Sequence, residues 1–172
     1  LALLERAGVV LRPAATARGL RQVRWPARYE LVQVLPPVII DGAHNETAAL
    51  ALVEVVLADQ RLAGRPLFLV VGMIGGHDPS GFASTLAALG PRTVTAVACR
   101  SPRTYPAEAV ARAFARAFGV CDTAPLDVAL ARATAAARAQ RGAVLVTGSL
   151  YLAGEVRQRL LGGPSDPALP LF

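Results

Sequence analysis

The 172-residue sequence contains no lysine; all 18 of its Lys and Arg residues are arginine. That absence excludes two kinds of chemistry. A GxxxxGK[ST] loop needs its lysine to reach the β- and γ-phosphates of a nucleotide, and imine-forming catalysis needs a lysine amine. This chain's own residues can do neither. Cysteine is scarce as well. Cys99 and Cys121 stand apart, without a CxxC relation or metal-ligand spacing, and read as small buried hydrophobes in a reducing cytoplasm. Long hydrophobic runs are also missing. The composition is 53% hydrophobic, with a mean hydropathy of +0.43. Yet its apolar runs, such as Pro66–Gly72 and Ala143–Val146, fall far short of the roughly 20 residues a membrane span needs. No basic stretch followed by a long apolar core opens the chain, so no signal peptide is read. The expectation is a protein with no membrane association.

Acidic residues number 12, which leaves a net charge of +6. The arginines are scattered, with no run of four and no interleaved aromatics. Codon choice in a GC-rich genome explains them, and so does a partner bearing phosphates. ATP would serve that second reading as well as RNA, and no nucleic-acid partner is expected. At this length one domain is the natural solution, burying about two-thirds of its unfolded surface without staples.

What is present alternates. Leu1–Trp25 carries two short helical patterns around Arg12-Pro13 and reads as a connector. The chain also opens in mid-pattern without Met, and residues 1–24 are expected to lead in from a preceding domain. Arg28–Val34 alternates as a strand, Pro36-Pro37 makes a bend, and Val38–Ile40 is a short buried strand. Helical patterns then fall on Glu46–Leu62, Pro79–Leu89, Pro106–Phe118, Leu126–Gln140 and Leu150–Leu161. Strands are read at Leu67–Gly72, Thr93–Cys99, Val120–Asp122 and Ala143–Thr147, and an irregular Pro/Gly tail at residues 162–172. Strands separated by helices of ten to fifteen residues imply a Rossmann-like α/β domain over residues 25–161, with a mostly parallel sheet and helices on both faces.

In such a sheet ligands bind beyond the carboxyl ends of the strands. Those ends are Asp41–Asn45, Gly72–Asp78, Cys99–Arg103 and Thr147–Ser149, and they hold both histidines and the single asparagine. Asp41-Gly42-Ala43-His44-Asn45 is the sharpest feature. Gly42 permits close backbone approach or positive φ, and Asp41 can accept ribose hydroxyls. Asn45 or His44 can cap the next helix, whose N-terminus favours anions. Equally, Asp41 and Asn45 can simply satisfy turn and cap donors. Arg28, in Trp25-Pro26-Ala27-Arg28, offers a fork for phosphate; otherwise it is a surface arginine with Trp25 in the core. Ser149, in Thr147-Gly148-Ser149, offers a hydroxyl at a helix start, or only a cap. His77-Asp78 and Ser101-Pro102-Arg103 are weak in isolation.

The combination is more specific than its parts. The order WPxR, PPVIIDGAHN, VVGMIGGHD, SPR and LVTGSLYL, from about Arg24 to Leu160, resembles the C-terminal domain of folylpolyglutamate/dihydrofolate synthases of the Mur ligase superfamily. The resemblance implies the Mur ligase C-terminal domain type of fold. It also implies an ATP-dependent ligase that joins glutamate to folate or dihydropteroate through an acyl phosphate. By the same resemblance Arg28 and Asp41 contact ATP, and His44 and Ser149 line the glutamate site. No catalytic residue is assigned to this domain. The P-loop and the Mg2+ ligands are expected in an N-terminal domain in cis, so this chain alone is expected to be inactive and monomeric. Three positions depart from the family pattern: Glu46 stands where proline is usual, His77 where lysine is usual, and Ala27 where glycine is usual. Two alternatives remain, a non-catalytic nucleotide- or anion-binding module and a Mur ligase of another branch. Gly42 argues against the latter, because the peptidoglycan ligases typically carry tyrosine there.

Overall fold

A computed structural model describes residues 2–23 and 25–162. The expected tail therefore lies outside the described residues from position 163, as does Arg24 at the expected connector boundary. Six strands, β1 (Glu30–Val34), β2 (Pro37–Ile40), β3 (Leu67–Val71), β4 (Thr93–Ala96), β5 (Asp122–Thr123) and β6 (Ala143–Thr147), form one sheet in the order β1-β2-β6-β3-β4-β5. Only the β1–β2 pair is antiparallel; β2, β6, β3, β4 and β5 run parallel. The mostly parallel α/β architecture read from the sequence is thus the one observed.

The central strands explain why. In β3 (LFLVV) and β6 (AVLVT) every residue is buried, as expected of strands covered on both faces. Period-two alternation splits their side chains between two cores. Leu67, Leu69 and Val71 face the helices α3 (Glu46–Ala58), α4 (Pro79–Leu86) and α5 (Ala107–Phe118), where Phe82 and Phe114 are fully buried. Phe68 and Val70 face α6 (Leu126–Ala139) and α7 (Leu150–Leu161), whose alanines permit close approach to the sheet.

Boundaries shift where side chains intervene. The third helix stops at Ala58 instead of Leu62, because Asp59 adopts extended backbone and takes the Arg61 amide and guanidinium on its carboxylate. β1 starts at Glu30 rather than Arg28, because Ala27 and Tyr29 both hold positive φ (58° and 46°). Leu35-Pro36 is cis, and Pro37 opens β2 opposite Val34. β4 ends at Ala96, although Val97 still donates to the Val71 carbonyl. The short β5 starts two residues and ends one residue beyond its expected place.

The N-terminal segment is different in kind. Helices α1 (Ala2–Arg6) and α2 (Pro13–Gln22) bury no residue, and Pro13 opens the second of them. Trp25 is 69% exposed, so it is not the core residue that one reading of WPxR assumed.

Candidate functional site

The parallel strands end in a cluster of polar turns, and Asp41 is the first side chain beyond β2. Its amide donates to the Val146 carbonyl, which carries the sheet one step further. Its carboxylate is held from two sides: Oδ2 accepts from the Tyr29 N–H at 2.8 Å and Oδ1 from the Ala43 N–H at 2.7 Å. An ionised carboxylate offers about four lone-pair sites, so both oxygens keep capacity for a ligand. Backbone donors fix the orientation without consuming the group.

Gly42 resolves in favour of close approach, since its φ is not positive. A Cβ there would strike the Leu150 side chain and lie 3.1 Å from Nη1 of Arg28. Its N–H donates to the Ala27 carbonyl, which draws the Pro26–Tyr29 turn over the Asp41 loop. Arg28 stands exposed on that turn, between the two left-handed residues Ala27 and Tyr29. Among the described residues Arg28 forms no salt bridge. Glu30 instead accepts from the Ala27 N–H and pairs with Arg157. Arg28 and Asp41 line one groove of about 210 Å3, with Tyr29, Ala43, Leu52 and Val55 among its walls. Guanidinium, carboxylate and apolar wall meet there.

Tyr29 is a residue that sequence reasoning missed. Its amide orients Asp41, and its hydroxyl donates to Asp59 Oδ2 at 3.0 Å. Burial and the neighbouring Asp59 push its phenol far above the ordinary value. The Arg61 hydrogen bonds hold the Asp59 carboxyl down to about 2.

His44 does not line that groove. Its Nδ1 lies 2.8 Å from the Gly42 carbonyl, and a carbonyl only accepts, so Nδ1 carries the proton and Nε2 is left free. The ring packs against His77, centroid to centroid 4.5 Å with planes tilted by 50°. The two histidines, 33 positions apart in sequence, are brought together by β2 and β3 ending at one place. Asp78 does not join its neighbour: it caps α4, accepting from Ser80 and Gly81. Burial, His44 and Arg103, in that order, hold the His77 imidazole below its ordinary value. Asn45, not His44, caps α3 through Ala48.

Ser149 is fully buried, and its Oγ accepts from the Tyr151 N–H at 3.0 Å as the cap of α7. Its hydroxyl is not open to solvent. Gly148, at φ 104°, turns the chain there; its N–H and the Thr147 hydroxyl both donate to the Ala43 carbonyl. Cys99 packs beside Ser149, and burial raises its thiol to about 11. Cys121 is raised likewise. A raised thiol carries little thiolate at neutral pH. Among the described residues no three His, Cys, Asp or Glu side chains gather as a metal site, and no helix is long and apolar enough to cross a membrane.

A mostly parallel sheet thus gathers an acid, an exposed guanidinium and two imidazoles beyond its strand ends, the edge at which ligands bind in open α/β sheets. Residues 27–150 match the model of the Mur ligase glutamate ligase domain, and the chain belongs to that family. Folylpolyglutamate synthase of Lacticaseibacillus casei is 30% identical over 90% of this chain, which spans 34% of that protein's length. The Mycobacterium tuberculosis folylpolyglutamate synthase complexed with ADP superposes with a TM-score of 0.81 at 29% identity, covering 95% of this chain and 38% of that one. A bifunctional folylpolyglutamate synthase/dihydrofolate synthase with Mn, AMPPNP and L-glutamate bound gives 0.75 at 26% identity, covering 93% and 37%.

Proposed function

We propose that this chain is the part of an ATP-dependent amide ligase that supplies nucleotide and glutamate contacts, the whole enzyme adding glutamate to folate or dihydropteroate. The observation that carries this reading is the shared groove of Arg28 and Asp41, with Asp41 held by two backbone amides. Asp41 accepts from the ribose or base of ATP, and Arg28 pairs with its phosphates. His44 contacts the incoming glutamate, and Ser149 shapes that site as the cap of α7. ATP supplies the phosphoryl group that activates the substrate carboxylate. The chain lacks the lysine of a P-loop, and its described residues offer no metal cluster. The P-loop and the Mg2+ ligands are therefore assigned to an N-terminal domain in cis, with residues 1–24 as the connector. The location is the cytoplasm, and the chain is a monomer.

The solved relatives carrying ADP, or AMPPNP with L-glutamate, support this reading. The test is ADP release by the whole ligase with dihydropteroate or tetrahydrofolate plus glutamate. Arg28→Ala and Asp41→Ala should raise the ATP requirement about tenfold or more, as expected for loss of a charge-assisted hydrogen bond. His44→Ala should raise the glutamate requirement. No folate-dependent ADP release at all would favour a binding module instead.

A further inference from the structure

The histidine pair holds more information than the role given to His44. With Nδ1–H committed to the Gly42 carbonyl, a neutral His44 presents only a lone pair at Nε2. A carboxylate is an acceptor too, so it can meet that nitrogen only if the ring gains a proton. His77 packs on His44 at 4.5 Å and is anchored through its carbonyl, which accepts from the Tyr105 hydroxyl at 3.3 Å. Its loop is stitched to the Arg103 loop by Gly75 N–H donating to the Arg103 carbonyl at 2.6 Å.

The charged groups around the pair come from every neighbouring element. Arg103 stands on the loop after β4, and its positive charge opposes protonation of His77. Asp78 spends both carboxylate oxygens on the first-turn amides of α4. Glu46, in the first turn of α3, directs Oε2 toward Gly81, 3.5 Å from where a Cβ would stand. Nearby carboxylates are thus drawn to a helix start, and the imidazoles are left without a counter-charge.

We propose that His44 and His77 together form a two-imidazole site for a carboxylate of the incoming amino acid, and that the site takes up a proton when the carboxylate enters. This rests on the glutamate reading of His44 and adds His77 to it. An entering carboxylate supplies the missing negative charge and raises the proton affinity of both rings. Linkage fixes the sign. Affinity increases as pH falls through the window between the bound and free titrations, by up to about tenfold per pH unit for one proton. It is flat above that window.

The chain has two histidines, so proton NMR of their Hε1 signals is directly interpretable, with His77→Gln assigning them. Both signals would be followed from pH 4.5 to 8.5 in sodium chloride and in sodium L-glutamate of equal ionic strength. Both midpoints should rise in glutamate, His77 included. His77→Gln should weaken glutamate binding about tenfold at pH 6. His77→Lys should restore the binding that His77→Gln loses at pH 6 and should weaken less than the wild type on going to pH 8, because only His44 then still needs a proton. A packing role would not produce that separation of charge from shape. Movement of His44 without His77 would overturn the two-imidazole site while leaving the glutamate reading intact. Movement of neither, or a fall of both midpoints as an ammonium contact would cause, would overturn the two together.

Discussion

The two ends of the sheet use polar residues in opposite ways. Beyond the carboxyl ends, backbone amides hold side chains: Tyr29 and Ala43 N–H groups grip Asp41, and the Gly42 carbonyl grips His44. At the other end side chains hold the backbone. Arg65 donates Nε to the Arg61 carbonyl and Nη1 to that of Arg141, and Pro37 and Pro66 lead the strands in. A larger hollow of about 290 Å3 opens there, lined by Leu35, Pro36, Arg65, Arg138 and Arg141 among others. Size does not mark the site. What marks it is side chains that are held in place yet keep free valence, as Asp41 and Nε2 of His44 do. An arginine whose donors close a turn has less left for a ligand.

Strand β6 allows the sharpest test, because a glycine flanks each end. A Cβ on Gly142 would collide with the Pro66 carbonyl and lie 2.8 Å from the Phe68 ring; one on Gly148 would lie 2.7 Å from the Gly72 carbonyl. Gly148 also holds φ 104°, which an L side chain rarely adopts. Both Gly142→Ala and Gly148→Ala should lose about 3 kcal/mol in denaturant melts, from overpacking and, at Gly148, strain as well. Only Gly148→Ala should also weaken ligand binding measured well below its melting point, because Ala43 and the Asp41 loop hang from that turn. Equal binding losses would mean that the two ends are not independent.

A second pair contrasts exposed arginines. Arg28→Ala should change stability by less than about 0.5 kcal/mol, as at an ordinary surface position, yet weaken nucleotide binding about tenfold or more. Arg65→Ala should do the reverse, costing about 1 kcal/mol for its carbonyl hydrogen bonds and leaving binding unchanged. Calorimetric titration with ATP on the whole ligase, beside melts of each variant, separates the two. A stability loss at Arg28 matching that at Arg65 would erase the distinction.

How much of this was legible in the sequence follows from the same contrast. The buried runs LFLVV and AVLVT announce central strands because both faces are apolar, and the Asp41–Asn45 block announces a strand-end turn because its polar residues have no periodic place. The meeting of His44 and His77 was half visible: both fall after strands, but only the order of β2, β6 and β3 makes those ends neighbours. Tyr29 was not visible at all, because its role lies in a backbone N–H and a left-handed φ that no side-chain pattern signals. Ser149 was legible as a cap but not as a buried one, since depth depends on how Cys99 and α7 pack. Trp25 misled, because a large aromatic argues for burial, yet it is exposed and the two helices that precede it in sequence, Ala2–Arg6 and Pro13–Gln22, bury nothing.

The smallest effect tests whether the site end is braced from behind. Tyr29 joins Asp41 through its amide and Asp59 through its hydroxyl, so the end of α3 supports the site aspartate indirectly. Tyr29→Phe removes only the second link and should cost about 1 kcal/mol. The pH dependence identifies the partner. Asp59 is held down to about 2, first by Arg61 and further by Tyr29, below the ordinary carboxyl value. A depressed carboxyl stabilises the fold fully above its unfolded value and loses that contribution as pH falls through its folded one. Wild-type stability should therefore decline between about pH 4 and pH 2 for this group, with a smaller decline in Tyr29→Phe and none from this group in Asp59→Asn. Urea melts at half-unit steps from pH 2 to 5 measure all three. If Asp59→Asn keeps the full wild-type decline, other carboxylates set the acid limb and the brace contributes little. If the decline shrinks while nucleotide binding stays constant in Tyr29→Phe, the amide of Tyr29 alone positions Asp41, and the hydroxyl serves only the fold.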